Sequence, residues 1–357
     1  MGTVIPESML ACQVVEFNRP YVLRTVPVPG PQSLGSYDLL LKTAVASLCH
    51  TDSMVIEGRM TGTKLPITGS HEGTGVVVAK GSAVSDFAVG DRVLAGIPRN
   101  RCGECDDCAS SDTQYCSNRQ GGIGLQVDGA FAEYVLVDSR DASVIPDGLD
   151  FVSAAPLACA GITVWRALEQ TRLVDSQWLG VIGSGGGLGH LAIQFAKKKG
   201  LKVVGVDARD EGVELSAKAG ADLVQDARRG QEAVVHEIIE ATGGKGVGAT
   251  INLSEAKSAA SLGCAITAKH GRLVQVAQPP EVVIPFRELV FRDITVKGSL
   301  TGSAKQTQEM LHFVAKHGIH VETNIYHGLS EVSRMVIDAH SGRLKGKSVV
   351  IVDNTLA

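Results

Sequence analysis

The chain has no run long and apolar enough to span a bilayer, no excess of basic residues, and no internal repeat or disordered linker. A membrane-spanning role is therefore not expected, and a formal net charge of −4 offers no global attraction to nucleic acid or anionic lipid. The opening MGTVIPESMLACQVVEF lacks a basic segment followed by a continuous apolar one, so no secretory signal is expected. Gly2 follows Met1, but Pro6 stands where a myristoylation site wants Ser or Thr. A cytoplasmic location is the simplest expectation. There a disulfide scaffold is not expected for a chain this long, and the clustered ones among its eight cysteines point to metal instead.

What is present is a 357-residue chain, longer than one core usually serves, with an ordinary 44% of hydrophobic residues. Its 41 glycines are many but dispersed, which suits tight turns and close backbone contacts. Residues 1 to about 155 carry short β-type runs split by Gly and Pro, such as Tyr37–Val45, Gly75–Ala79 and Asp91–Ala95. After Cys159 the texture changes. Trp178–Ile182, Lys202–Asp207, Ala221–Val224, Ala249–Leu253 and Arg272–Val276 read as strands. Between the earlier ones lie helical patterns at Leu188–Lys199, Glu211–Ala219 and Gln231–Thr242. This alternation predicts an α/β, doubly wound parallel sheet. From about Ile294 the pattern is mixed again, and the tail Ser348–Val352 is expected to return to the first domain.

Gly183-Ser-Gly-Gly-Gly-Leu-Gly189 falls between a predicted strand and a predicted helix. Small residues let the backbone approach a pyrophosphate, and the free N–H groups of a helix start attract its charge. The run holds one residue more between its outer glycines than G-x-G-x-x-G allows. Asp207 closes the next strand at about the spacing of a carboxylate that binds the adenosine ribose and repels a 2′-phosphate. NAD is thus preferred to NADP, although Arg209 softens that preference. The bland alternative is a plain strand–turn–helix with a solvated Asp207.

Cys102-x-x-Cys105-x-x-Cys108-x₇-Cys116 places four thiols in fifteen residues. Zinc favours four thiolates in a closed tetrahedron, and such a site stabilises a lobe with little core of its own. An iron–sulfur cluster is the chemical competitor. Four protein ligands leave no open position, so this site is expected to be structural. Glu104, Asp106 and Asp107 give the lobe an acidic face, which argues against a nucleic-acid-binding zinc module.

Cys49-His-Thr-Asp52, Gly69-Ser-His71-Glu72-Gly-Thr-Gly75 and Cys159-Ala-Gly161 complete the set of motifs. Taken singly, each cysteine or histidine would read as an ordinary core residue. Together, and in this order with the four-cysteine lobe, the glycine loop and Asp207, they resemble the zinc-dependent medium-chain alcohol dehydrogenases, in particular the yeast-type branch. The resemblance runs nearly end to end. It implies a GroES-like, mostly-β catalytic domain from residues 1–155 and 296–357, with a Rossmann NAD-binding domain at 156–295. It implies Cys49, His71 and Cys159 as catalytic zinc ligands, with Glu72 able to visit the metal and Asp52 orienting the ligand His71. It implies Thr51 as the hydroxyl that meets the substrate oxygen. The cofactor contacts it implies are His50, Gly183, Gly186, Gly187, Leu188, Gly189, Asp207 and Lys347. Two zinc ions per chain and NAD follow, with an alcohol, aldehyde or ketone as substrate and a homo-oligomer, dimer or tetramer, as the assembly.

Several positions depart from that pattern. Ser70 stands between Gly69 and His71, and Met54 replaces a relay histidine and cannot carry a proton. Met60, Ile97 and Gln278 stand where bulkier or less polar pocket residues are expected, which suggests a substrate larger than ethanol unless the variable loops align differently. Gly212 replaces a lysine near the adenosine, and Lys347 an arginine that contacts phosphate. Cys12 and Cys264 read as ordinary small residues. Two other functions remain to be weighed: a zinc-independent quinone or enoyl reductase, which would lack the Cys/His/Cys set, and an NAD-binding regulatory module with structural zinc only.

Overall fold

The computed structural model describes residues 5–357; Met1–Val4, and with them Gly2, lie outside the described residues. The chain forms two compact units. One runs to Ile162 and resumes at Gly302, and the other is Thr163–Thr301. The junctions expected after 155 and 295 fall early, for reasons visible in the packing. The strand Thr295–Gly298 completes the sheet of the second unit, pairing in parallel with Thr267–Gln275. Trp165, on the helix Ala160–Thr171, packs edge-on against Phe195 of the same unit, with ring centroids 5.6 Å apart.

The first unit is built around the strand Asp38–Leu48, whose two faces are both covered. Its fully buried Leu39, Leu40 and Leu41 each contribute about 2 kcal/mol of burial. It pairs antiparallel with Glu72–Lys80 and Tyr134–Asp138, and also with Lys347–Ile351, so the tail returns as expected. Gly75 allows one of these pairings, because a Cβ there would lie 2.2 Å from the carbonyl oxygen of Lys42. Register positions the chemistry. Ser47 sits opposite Glu72, and Leu48 sits opposite Ser348. Cys49, His71 and Lys347, each one residue beyond these pairs, are thereby carried to the same end of three adjacent strands.

The second unit is a six-stranded parallel sheet. Its order is Leu223–Asp226, Lys202–Asp207, Trp178–Ile182, Val247–Asn252, Thr267–Gln275, Thr295–Gly298. The sequence order therefore reverses beside Trp178–Ile182, the topological switch where such sheets place ligands beyond their strand ends. The helices Gly189–Lys198, Asp210–Lys218 and Gln231–Ala241 lie within a residue or so of their expected bounds. One strand begins later than expected, at Leu223, because the Asp222 carboxylate is occupied by Lys197 and the Val203 N–H. Among the described residues no single helix is long and apolar enough to cross a membrane.

Candidate active site and metal centres

Cys49 ends the long central strand and caps the helix His50–Ile56. The cap is reciprocal: the Cys49 N–H donates to Asp52 Oδ2 at 2.8 Å, and the Asp52 N–H donates to the Cys49 carbonyl at 3.1 Å. The same carboxylate reaches the second motif. Its Oδ1 accepts the Ser70 N–H at 3.1 Å and faces Nδ1 of His71 at 3.4 Å. Asp52 is fully buried and His71 almost so. One side chain therefore fixes both ligand-bearing segments.

Ser70, the residue that interrupts the family motif, takes a left-handed conformation with φ of 67°. Its hydroxyl donates to the Ser47 carbonyl at 2.9 Å and accepts the Glu72 N–H at 3.2 Å. These bonds offset the cost of a non-glycine residue in that region.

Ligand atoms of Cys49, His71, Glu72 and Cys159 all lie within 4.8 Å of one another. The Cys49 and Cys159 sulfurs are 3.9 Å apart. A tetrahedral zinc with Zn–S bonds of about 2.3 Å would separate its sulfurs by about 3.8 Å, so the pair fits one ion. Hydrogen bonding with Cys159 holds the Cys49 thiol well below its ordinary range, and the same contact raises Cys159. A divalent cation bound by both would hold the two sulfurs as thiolates. Burial pushes the Glu72 carboxyl up to about 7, with Lys347 opposing the rise.

Lys347, expected to contact a cofactor phosphate, is buried beside Glu72. It is only 5% exposed, and its Nζ donates to the Leu48 carbonyl at 2.7 Å and to Glu72 Oε1 at 2.9 Å, with Oε2 at 2.7 Å. Burial pulls its pKa down, but the Glu72 and Cys49 charges outweigh that and leave the ammonium raised. Two hydrogen bonds and the ion pair thus tie its ammonium to Leu48 and Glu72.

The helix His50–Ile56 carries the remaining expected residues. His50 is exposed at its start, and Thr51 Oγ1 lies 3.8 Å from Cys49 Sγ. Met54 is buried. Beside it, Ser53 Oγ lies 2.9 Å from Nε2 of His340, a contact across 287 residues that no sequence motif signals. Met60, expected as a pocket wall, packs partly buried against the cluster of Val55, Ile67 and Phe131.

The four lobe cysteines also converge, with ligand atoms within 4.8 Å. Cys102 lies 3.5 Å from Cys116 and 4.0 Å from Cys108, sulfur to sulfur, again the spacing of one tetrahedral ion. Backbone N–H groups of Glu104 and Cys105 lower the Cys102 thiol to about 6. The lobe is tied to the rest of the first unit by Arg101 against Asp141, at 3.0 Å, and by Arg140 donating to the Arg101 carbonyl at 2.9 Å.

In the second unit the glycine loop follows the strand Trp178–Ile182. Gly183 (φ 78°) and Ser184 both donate to the Val206 carbonyl, at 2.8 and 3.1 Å, which binds the loop to the neighbouring strand. Gly186, Gly187 and Leu188 lie partly exposed where the helix Gly189–Lys198 begins. Gly189 is required by space, since a Cβ there would sit 2.4 Å from the carbonyl oxygens of Gly183 and Ser184. Asp207 ends the adjoining strand, accepting the Gly185 N–H at 2.9 Å through Oδ2 and the Ala208 and Arg209 N–H groups through Oδ1. Gly212 packs on that carboxylate, since a Cβ there would lie 2.2 Å from Asp207 Oδ1.

A thiolate/imidazole set in one unit and a glycine-rich turn at the switch point of a parallel sheet in the other define a zinc- and nicotinamide-dependent oxidoreductase. Comparison with known proteins agrees. Residues 35–147 match the alcohol dehydrogenase GroES-like domain, and residues 187–316 match the zinc-binding dehydrogenase family. The chain is 35% identical to an alcohol dehydrogenase of Geobacillus stearothermophilus over 97% of its own length and 100% of that protein. It is also 35% identical to alcohol dehydrogenase 1 of Emericella nidulans, covering 87% of this chain and 89% of that one. Among solved structures, the alcohol dehydrogenase of Aeropyrum pernix superposes with a TM-score of 0.87 at 28% identity, covering 96% and 99% of the two chains. The chain belongs to the zinc-binding alcohol dehydrogenases of the medium-chain dehydrogenase/reductase superfamily. It is an NAD(P)-dependent oxidoreductase whose two donor clusters match the two-zinc architecture of that family. A small alcohol or carbonyl compound fits this activity.

Proposed function

We propose that the protein is a zinc-dependent alcohol dehydrogenase or carbonyl reductase of the yeast-type branch, using NAD and acting on a substrate bulkier than ethanol. The observation that carries the chemistry is the convergence of Cys49, His71 and Cys159 on one point, with Glu72 as the fourth donor in reach. Three of these donors form the set that leaves a fourth position open for substrate.

A zinc ion held there supplies Lewis-acid polarisation of the substrate oxygen. The chain's own residues do the rest. Asp52 accepts the Cys49 N–H and stands beside the His71 ring, where its carboxylate orients that donor. With nicotinamide bound as the hydride acceptor, Thr51, two residues from Cys49, would take the alcohol's proton and pass its own onward. The helix start at Gly189 would hold the cofactor's pyrophosphate and Asp207 the adenosine ribose, with His50 proposed as a further phosphate contact. Met54 is buried and without a titratable group, so the proton leaves by a path other than a side chain at that position. A pH–rate profile lacking a relay-histidine pKa is the expected consequence.

Substrate bulk is inferred from Met60, Ile97 and Gln278, and Gln278 adds hydrogen-bonding capacity. Homo-oligomerisation is inferred from the edge strand Thr295–Gly298, exposed along its length, with Phe286, Val290 and Phe291 each about two-thirds exposed nearby. Six thiolate ligands suit a reducing compartment such as the cytoplasm.

An NADH-linked screen across alcohols and aldehydes of graded bulk, with NADP in parallel, tests this reading. Turnover that rises with bulk and prefers NAD supports it, whereas ethanol outperforming every larger alcohol contradicts the substrate assignment. NAD binding with no turnover and one zinc per chain would favour a regulatory binding module instead.

A further inference from the structure

We propose that Lys347 is the positioning residue that holds Glu72 away from an ion bound by Cys49, His71 and Cys159, and so keeps that ion's remaining position free. The inference rests on reading this cluster as the catalytic metal site, and deepens it.

Lys347 stands at the junction of the ligand-bearing segments. It donates to the carbonyl of Leu48, the residue before Cys49, and to Glu72 Oε1, and it stands in ion-pair contact with Glu72 Oε2. Glu72 Oε1 in turn accepts the N–H of Ala160, the residue after Cys159, at 3.2 Å. The ammonium and carboxylate thus brace the backbone on the far side of each ligand sulfur. Both groups are buried, Glu72 completely.

Charge balance makes the pairing consequential. Two thiolates and one carboxylate carry three negative charges, and one divalent ion plus one ammonium cancels them. Without the ammonium, Glu72 becomes a buried, unpaired carboxylate, an arrangement of high free energy. Its nearest remedy is the metal, because its oxygen already lies within 4.8 Å of the other donors. Four protein donors would then close the site as the lobe's four cysteines close theirs. Lysine suffices because the partner atoms are spread over a carbonyl and a carboxylate, so that a compact ammonium serves all three.

The test uses the full chain with cobalt(II) in place of zinc, read by visible absorption, with imidazole as the probe for a free coordination position. The wild-type spectrum is expected to shift on adding imidazole. Lys347→Met should need at least about tenfold more imidazole for the same shift. Lys347→Arg, which keeps the charge, should behave like wild type. The double variant Lys347→Met/Glu72→Gln, which removes both charges, should regain the response, as should Glu72→Gln alone. These two variants also carry the test if Lys347→Met does not fold. A double variant that stays unresponsive to imidazole would overturn the proposal, because Lys347 would then act other than through Glu72. So would a Lys347→Met protein that titrates like wild type. A wild-type cobalt protein that is loaded at Cys49 and Cys159 yet blind to imidazole would instead overturn the open-site reading, and this proposal with it.

Discussion

Asp52 Oδ1 stands 3.4 Å from Nδ1 of His71, both groups out of reach of solvent. A carboxylate in that place fixes the ring's tautomer and aims its other nitrogen at the metal. Asp52→Asn should therefore lower zinc affinity at the Cys49 site by about 10–100-fold while the cysteine lobe keeps its ion. Competition with a chromophoric chelator, resolving two classes of zinc, measures this. Asp52→Ala should also lose the helix cap, at a cost of about 1 kcal/mol in stability.

Gly189 is held against the glycine loop with no room for a methyl group. Gly189→Ala should push the loop from the helix start and destabilise the fold by about 1–3 kcal/mol. NADH binding, followed by fluorescence titration, should weaken sharply, while the zinc content stays at two per chain. Unchanged NADH affinity would remove this loop from the cofactor site.

Asp141 supplies a pH signature away from the catalytic cluster. Burial raises its carboxyl from 3.8 to about 6, Arg101 opposing. A carboxyl whose pKa is higher folded than unfolded favours the folded state most when protonated. Its contribution is complete below 3.8 and is lost as pH rises to about 6. The Tm of Asp141→Asn should therefore gain on the wild type through that interval and hold a constant offset above it. A gap that moves the other way would mean the carboxyl is better stabilised ionised.

The thiols offer a chemical count. Of the eight cysteines, four form the lobe cluster and two belong to the Cys49 site, leaving Cys12 and Cys264. Both are buried, which pushes each thiol up to about 12 and keeps it protonated and inert near neutral pH. A disulfide reagent should find no fast thiol in the zinc-loaded protein, six after chelation and eight after unfolding. Rapid loss of Cys12 in the native protein would contradict its burial.

The lobe donors were legible because Cys102 to Cys116 fall in one short stretch, whereas Cys49, His71 and Cys159 lie far apart in the chain and were grouped only through the family resemblance. The glycine loop and Asp207 were legible as the lobe was, each lying within a single β–α–β stretch. The Lys347–Glu72 pair was not, because it spans 275 residues and exists only through the register of three strands. Likeness to an arginine that contacts phosphate pointed Lys347 at the cofactor and gave no sign of its contact with Glu72. The unit boundaries were misplaced because Thr295–Gly298 is too short and too exposed to advertise itself as a sheet strand.

Anomalous diffraction at the zinc edge, on crystals of the purified full-length protein, addresses the whole scheme at once. Two peaks per chain are expected, one enclosed by Cys102, Cys105, Cys108 and Cys116, the other by Cys49, His71 and Cys159 with a non-protein atom completing the tetrahedron. A single peak in the lobe, or a second ion ringed by four side chains, would contradict it.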